Sequence, residues 1–474
     1  MSVRIPRSEI SDAEVELIRQ MLILHPQKAP TYMQKNFVDL EEKDPIVFYL
    51  VKKDSDGIEK VWLPFSFGNI LKKKIWNLSR MYESHNFEFK TELRENQVEV
   101  VNEALQHLNS YCSTNLFLST GFGKSRITAF LSTKIKLLTL VVLHLTTLIS
   151  AWCKEFQENT TAKIWVVETA DKFVIPEEFD VIICMNTRII NIPENILDKV
   201  GFLIIDEVDR LTTKSRVIPL LSTQPKFVVS LTATSNLRSD GMDSMNQLLT
   251  GLHFVKREIA KKMTLYKVNT HINPPTETGP KGVNWSKLMR DLSRNDQRNE
   301  MIVKLATQNY HLKTLIVVEF QEHCVLLYQK LKVLGKKVEY MTGTKSSYQD
   351  SQILVGSLRK ISVGFDDANT AVDFSGIRFQ LMILCKPIKD ESLLTQTLGR
   401  IRNQSPIIMY LIDENSSIKR QWSTCSKYLK ERNLGFIDWK TDINKLIVDK
   451  EGKIIEKAPE EEKGEIKIKL NITS

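Results

Sequence analysis

The stretch LFLSTGFGKSRITAFL, residues 116–131, decides how this chain is read. An apolar run ends at Ser119, a turn with two glycines follows, and a helix-forming segment starts at Lys124. A strand, a tight glycine turn and a helix start bring several backbone N–H groups and the positive helix end around an anion. Gly121 and Gly123 let the backbone approach phosphate oxygens, Lys124 reaches the β- and γ-phosphates, and the Ser125 hydroxyl ligates Mg²⁺. The strict P-loop pattern wants a glycine where Leu118 stands, so the match is partial. Taken alone, the stretch also fits a glycine turn feeding the amphipathic helix KSRITAFLSTKIKLL.

A second signal follows in FLIIDEVDRL, where Asp206 and Glu207 end an apolar strand. Ligands of open parallel sheets bind at such strand ends. One acid there can hold the Mg²⁺ that bridges the phosphates, and its neighbour can orient or deprotonate the attacking water. A single acid would read as a polar turn; two acids after a Gly-Lys-Ser turn point to a nucleoside triphosphatase. VVSLTATSNLRSDGM ends another apolar strand in Thr232 and Thr234, small hydroxyl residues that could pass the state of the acidic pair to a neighbouring domain. QTLGRIRNQ offers Arg400 and Arg402 on a helix, either as a solvated basic face or as groups that neutralise a departing γ-phosphate.

Composition bounds the partners. With 474 residues and 42% apolar side chains the chain can build two or three domains. A formal charge of +9 favours a polyanion such as nucleic acid without requiring one. The six cysteines are scattered without a CxxC pair or a Cys/His cluster, which argues against a zinc site or a disulfide framework and for a reduced, intracellular compartment. No signal peptide is expected at the N-terminus, and no apolar run approaches the ~18 residues of a membrane span. A soluble, intracellular protein is expected.

Along the chain, residues 1–88 read as an accessory α+β domain, with a helix over 8–24 capped by Ser8 or Ser11 and a hairpin turning at Asp56-Gly57. Residues 89–255 alternate Val/Ile/Leu-rich strands with helices, the pattern of a buried parallel sheet. Residues 256–290, which include INPPTETGPKGVN, read as a linker; 291–436 form a second alternating α/β domain; and 437–474 form a charged tail. The fold class is therefore α/β with two parallel-sheet domains in tandem.

These residues resemble the superfamily 2 helicases and translocases. ELRENQ is similar to the adenine-side motif, with Arg94 and Gln97 at its conspicuous places; STGFGKSR matches motif I, DEVD motif II and LTAT motif III. TLIVVEFQEHCVLLYQKL is similar to motif IV, ISVGFDD to motif V and QTLGRIR to motif VI. LTATSNLRSDGMD and the compact second domain look most like the DExH helicases of large cytoplasmic DNA viruses, of iridovirus, asfarvirus and poxvirus type. The resemblance implies two RecA-like domains that close on ATP and Mg²⁺. It assigns nucleotide contacts to Arg94, Gln97, Thr120, Gly121, Phe122, Gly123, Lys124, Ser125, Arg126, Gly364, Asp366 and Gln396. Ser125 and Asp206 become metal ligands, Glu207 the water activator, Arg400 the first γ-phosphate contact and Arg402 a second. Nucleic-acid contacts fall to Thr146, Thr147, Thr187 and Arg188, and coupling to Thr232 and Thr234.

The pattern also departs from the family's. Val208-Asp209 stands where Ala-His or Ser-His is usual, Ser235 replaces a proline, His144 lies where motif Ia has a proline nearby, and Asn403 occupies the last arginine position of motif VI. These touch coupling more than MgATP binding. A monomer acting on DNA, or on RNA, with viral transcription or replication machinery follows. A duplex translocase or transcript-release factor that does not separate strands, a non-hydrolysing nucleic-acid scaffold and a metabolic enzyme with a phosphate-binding turn stay open.

Overall fold

The computed structural model describes residues 1–24, 45–54, 56–119, 121–169, 173–211, 214–232, 243–257, 262–279, 282–343, 345, 347–362, 365–432, 434–440 and 442–457. Two compact units divide the chain, Met1–Ile259 and Ala260–Ser474.

The first unit is built on seven parallel strands: β1 Ser113–Leu118, β2 Thr139–Leu143, β3 Ile164–Val166, β4 Val181–Met185, β5 Phe202–Asp206, β6 Phe227–Thr232 and β7 Phe254–Arg257, in the order β7-β1-β6-β5-β2-β4-β3. Leu140 to Leu143 and Phe202 to Ile205 are all fully buried, which explains their continuous apolar reading: helices cover both faces, so neither side chain parity meets water. Each such side chain contributes about 1.5–3 kcal/mol of burial free energy. Parallel pairing sends every strand's carboxyl end to one edge of the sheet. Helices α1 Glu95–Tyr111, α2 Lys124–Ile135 and α3 Ile149–Asn159 flank it.

The N-terminal residues share this unit's core. Ser11 caps a helix over Asp12–Leu22 in a reciprocal box with Glu14, which selects Ser11 over Ser8 as the cap. The expected hairpin pairs Leu50–Lys53 with Glu59–Pro64 around Gly57 at φ +76°, and Ser2–Pro6 adds a third antiparallel strand. Asn77 donates to the carbonyls of Ser2 and Pro225, and Arg4 to that of Ser222. These anchors lie just before β6, so the N-terminal segment covers the edge of the sheet opposite the glycine turn.

In the second unit, β8 Thr264–Asn269, β9 Thr314–Val318, β10 Val338–Met341, β11 Ile353–Ser357, β12 Leu381–Leu384, β13 Ile407–Ile412 and β14 Ile437–Trp439 form a second parallel sheet ordered β10-β11-β9-β12-β13-β8-β14. Strand β8 lies inside the stretch read as a linker, and β14 inside the stretch read as a tail. Beyond β14 the chain returns to the same unit: the Tyr266 hydroxyl donates to the Gly452 carbonyl at 2.6 Å, and Asn309 holds the backbone of Leu446 and Val448. Proline, glycine and charge around them hid those segments, because each carries only a short apolar run, Leu265 to Val268 broken by Lys267, and Leu446 to Val448. No helix among the described residues is long and apolar enough to cross a membrane.

Candidate active site

The glycine turn leaves β1 at Leu118 and enters α2 at Lys124. Gly121 sits at φ +86° with open space where a Cβ would go, and Gly123 at φ +96° forms the N-cap of α2 without any side-chain cap. Both φ values lie where side chains other than glycine are strained. The first N–H groups of α2 are thus uncapped by side chains and face the strand-end edge, as an anion site requires.

Arg94 and Gln97 brace this turn from behind. Arg94 donates to the Phe122 carbonyl at 2.5 Å, the Gln97 amide donates to the same carbonyl at 2.8 Å, and the Gln97 side-chain oxygen accepts from the Arg94 backbone N–H at 3.0 Å. Both ends of the buried Gln97 amide are engaged with protein. Here these two residues shape the turn. Phe122 is itself buried in the core, and Arg126 donates to Thr91 and to the Glu92 carbonyl.

Asp206 closes β5, and Glu207 follows in a left-handed conformation at φ +50°, a strained backbone for a non-glycine residue. Lys124 reaches across to Glu207 at 3.4 Å. Burial first, then the adjacent Glu207, push the Asp206 carboxyl up to about 6; Lys124 and a hydrogen bond from the Trp152 indole pull the other way. That hydrogen bond runs 3.0 Å from Trp152 Nε1 to Asp206 Oδ2. His144, one residue past β2, lies close enough to Glu207 for its charge to be felt; burial keeps the imidazole pKa below its usual value.

Ser125, second residue of α2, and Asp206 supply hard oxygen donors from two elements. A hydroxyl and a carboxylate beside an anion site fit Mg²⁺, which takes one or two protein oxygens and fills its octahedron with water and substrate phosphates. Among the described residues no group of three or more His, Cys, Asp or Glu side chains is placed to hold a metal ion. Thr146 and Thr147, on a short turn after β2, and Thr187, after β4, are exposed, while Arg188 donates to the Val167 carbonyl at 3.0 Å. Thr232 ends β6 and is buried. Thr120, Thr234 and Gly364 lie outside the described residues.

A second cluster forms within the second unit. Arg400 donates through Nε and Nη2 to the Ser362 carbonyl at 3.0 and 2.7 Å. Arg402 pairs with Asp366 at 2.8 Å, and Arg378 bridges Asp366 and Asp367. Burial opposes the charge on Asp366, but Arg402 and Arg378 outweigh it and hold its carboxyl below the usual range. Gln396 is buried on the preceding helix, Glu391–Leu398. Sequence reading passed over Trp152 and Arg378: Trp152 and Phe156 look like a core-facing i,i+4 pair, and nothing local marks Arg378 as a partner of Asp366 and Asp367.

Comparison with known proteins adds to this geometry. Residues 90–237 match the family described as type III restriction enzyme, res subunit. The 161L protein of Invertebrate iridescent virus 6, which carries a provisional helicase name, is 27% identical over 79% of this chain and 88% of its own length. The L396 protein of Acanthamoeba polyphaga mimivirus, provisionally named an ATP-dependent RNA helicase, is 22% identical over 89% of this chain and 83% of its own. In fold, S. cerevisiae Dbp5 bound to RNA and ADP BeF3 is similar at a TM-score of 0.50 and 11% identity, over 72% of this chain and 89% of that one.

Proposed function

We propose a division of labour for a chain that is a superfamily 2 helicase like those of large DNA viruses, an enzyme that spends ATP to act on nucleic acid. The uncapped start of α2 and Lys124 bind the nucleotide's phosphates. Ser125 and Asp206 would hold Mg²⁺, which when bound neutralises charge on the β- and γ-phosphates. Glu207 takes a proton from the attacking water as the bond to the γ-phosphate breaks, and Lys124, 3.4 Å away, holds Glu207 in place. Arg400, then Arg402, are assigned the γ-phosphate contact, Asp366 and Gln396 a supporting one. The observation that carries the reading is the 3.4 Å approach of Lys124 to Glu207 beside Asp206, at the carboxyl ends of parallel strands.

Thr146, Thr147, Thr187 and Arg188 are assigned to the nucleic acid. Hydroxyl contacts follow phosphates and sugars, so sequence preference should be weak. DNA is tested first and RNA second, on a monomer, with a role in viral transcription or replication. The test measures ATP hydrolysis with single-stranded DNA, duplex DNA and RNA for the wild type and Lys124→Ala. Stimulation by a polymer, lost in the variant, is expected; rates at background for both would sink the enzyme reading. The second reading is a translocase that does not part strands. Duplex-driven hydrolysis without strand release on a forked substrate would establish it.

A further inference from the structure

We propose that Trp152 is a positioning residue for the Asp206 carboxylate: its indole N–H pins Oδ2 and leaves Oδ1 as the oxygen offered to a divalent cation. An indole nitrogen donates and never accepts, so at 3.0 Å from Oδ2 it can only engage an oxygen that carries a lone pair. It therefore fixes the rotation of the carboxylate plane and selects which oxygen remains for a ligand. Trp152 is itself held: it is buried on α3 and stacks with the fully buried Phe156, ring centroids 6.3 Å apart.

At Trp152 the donor is aimed at the carboxylate that ends β5. Helix α3 follows directly on the turn that carries Thr146 and Thr147, so the helix next in the chain after the nucleic-acid candidates holds the metal candidate. Outer contacts of this kind orient a ligand, and their loss typically costs about 10–100-fold in metal affinity.

The inference rests on the nucleotide reading above, and its test separates the two. Mn²⁺ binding to the ADP-loaded full chain is followed by electron paramagnetic resonance of free Mn²⁺, and ADP binding in EDTA by calorimetry. Trp152→Phe keeps an aromatic ring and removes the donor; it should weaken Mn²⁺ by about 10-fold or more while metal-free ADP binding stays unchanged. Unchanged Mn²⁺ affinity overturns the proposal, as does an equal loss of metal-free ADP binding, which marks a packing role. A wild type that binds neither ADP nor Mn²⁺ overturns the nucleotide reading itself. Should Trp152→Phe fail to fold, the wild type labelled with 5-fluorotryptophan decides: one indole resonance must shift on Mg²⁺ and ADP and not do so in Asp206→Asn. No such resonance overturns the assignment.

Discussion

At the carboxyl ends of the two seven-stranded sheets an acid meets a basic side chain in each unit, in different company. In the second unit Asp413, just after β13, accepts from Arg298 at 2.9 Å and from the Thr270 hydroxyl at 2.7 Å, while Arg298 also donates to the Cys385 carbonyl at 2.8 Å. Both side chains are shut from water, at 1% and 0% exposed. In the first unit Lys124 and Glu207 stand farther apart, at 3.4 Å, and remain 15% and 17% exposed. The cation there rides on a glycine turn, and Glu207 and Gly123 hold left-handed backbones. One strand-end pair is shut away from water inside its own fold; the other remains partly exposed. The same architecture thus yields a buried cross-link in one unit and a partly exposed pair at the candidate site in the other, decided by which element supplies the cation.

If that contrast is right, the two pairs must fail differently. Arg298→Ala leaves Asp413 buried and uncompensated, so it should destabilise the second unit by about 3–5 kcal/mol in guanidinium unfolding. Replacing both, Arg298→Met with Asp413→Leu, should recover most of that loss. A mild effect of the single change would erase the distinction. Lys124→Ala, in contrast, should leave the denaturation midpoint near wild type and cut polymer-stimulated kcat by about 100-fold or more.

The glycines sharpen the point further. A Cβ at Gly123 would come within 2.3 Å of Gln97 Nε2 and 2.7 Å of Arg94 Nη2, whereas one at Gly121 meets nothing within 4 Å. Gly123→Ala should therefore lose nucleotide affinity through both strain and displacement of the brace. Gly121→Ala should pay only the backbone term, about 1–2 kcal/mol. Equal losses in calorimetric ADP titrations would mean that the brace does not shape the turn.

The smallest effect concerns pH. The Asp206 carboxyl is raised to about 6 from its ordinary 3.8, so the folded state holds its proton more tightly than the unfolded chain does. Its favourable contribution is present below the unfolded pKa and lost as pH rises through about 6. Asp206→Asn should match the wild type in stability near pH 4 and exceed it at pH 7, while Mn²⁺ binding to the ADP-loaded wild type weakens as pH falls through about 6. A stability difference flat in pH would place the carboxyl in a more solvated setting than the structure gives it.

Much of the first unit was legible because its signals are local. Continuous Val/Ile/Leu runs announce doubly covered strands, and Gly121 and Gly123 announce backbone angles that other residues resist. Asp206 was placed at a strand end by its neighbours alone. In the second unit the strands from Thr314 to Ile412 were equally plain, whereas Thr264–Asn269 and Ile437–Trp439 were hidden beside proline-, glycine- and charge-rich stretches. The motif arginines were named from the sequence as a group, but their present partners, the Ser362 carbonyl and Asp366, were not foreseen.

What the amino-acid order determined by itself was the inventory: two parallel sheets, a glycine turn before Lys124, a pair of acids closing a strand. Tertiary structure alone decided the pairings. Trp152 meets Asp206 across 54 positions of chain and Arg298 meets Asp413 across 115. Strand and turn preferences act over a few neighbouring residues, whereas the partner of a buried polar group depends on how distant elements pack and on which of them excludes water from the contact.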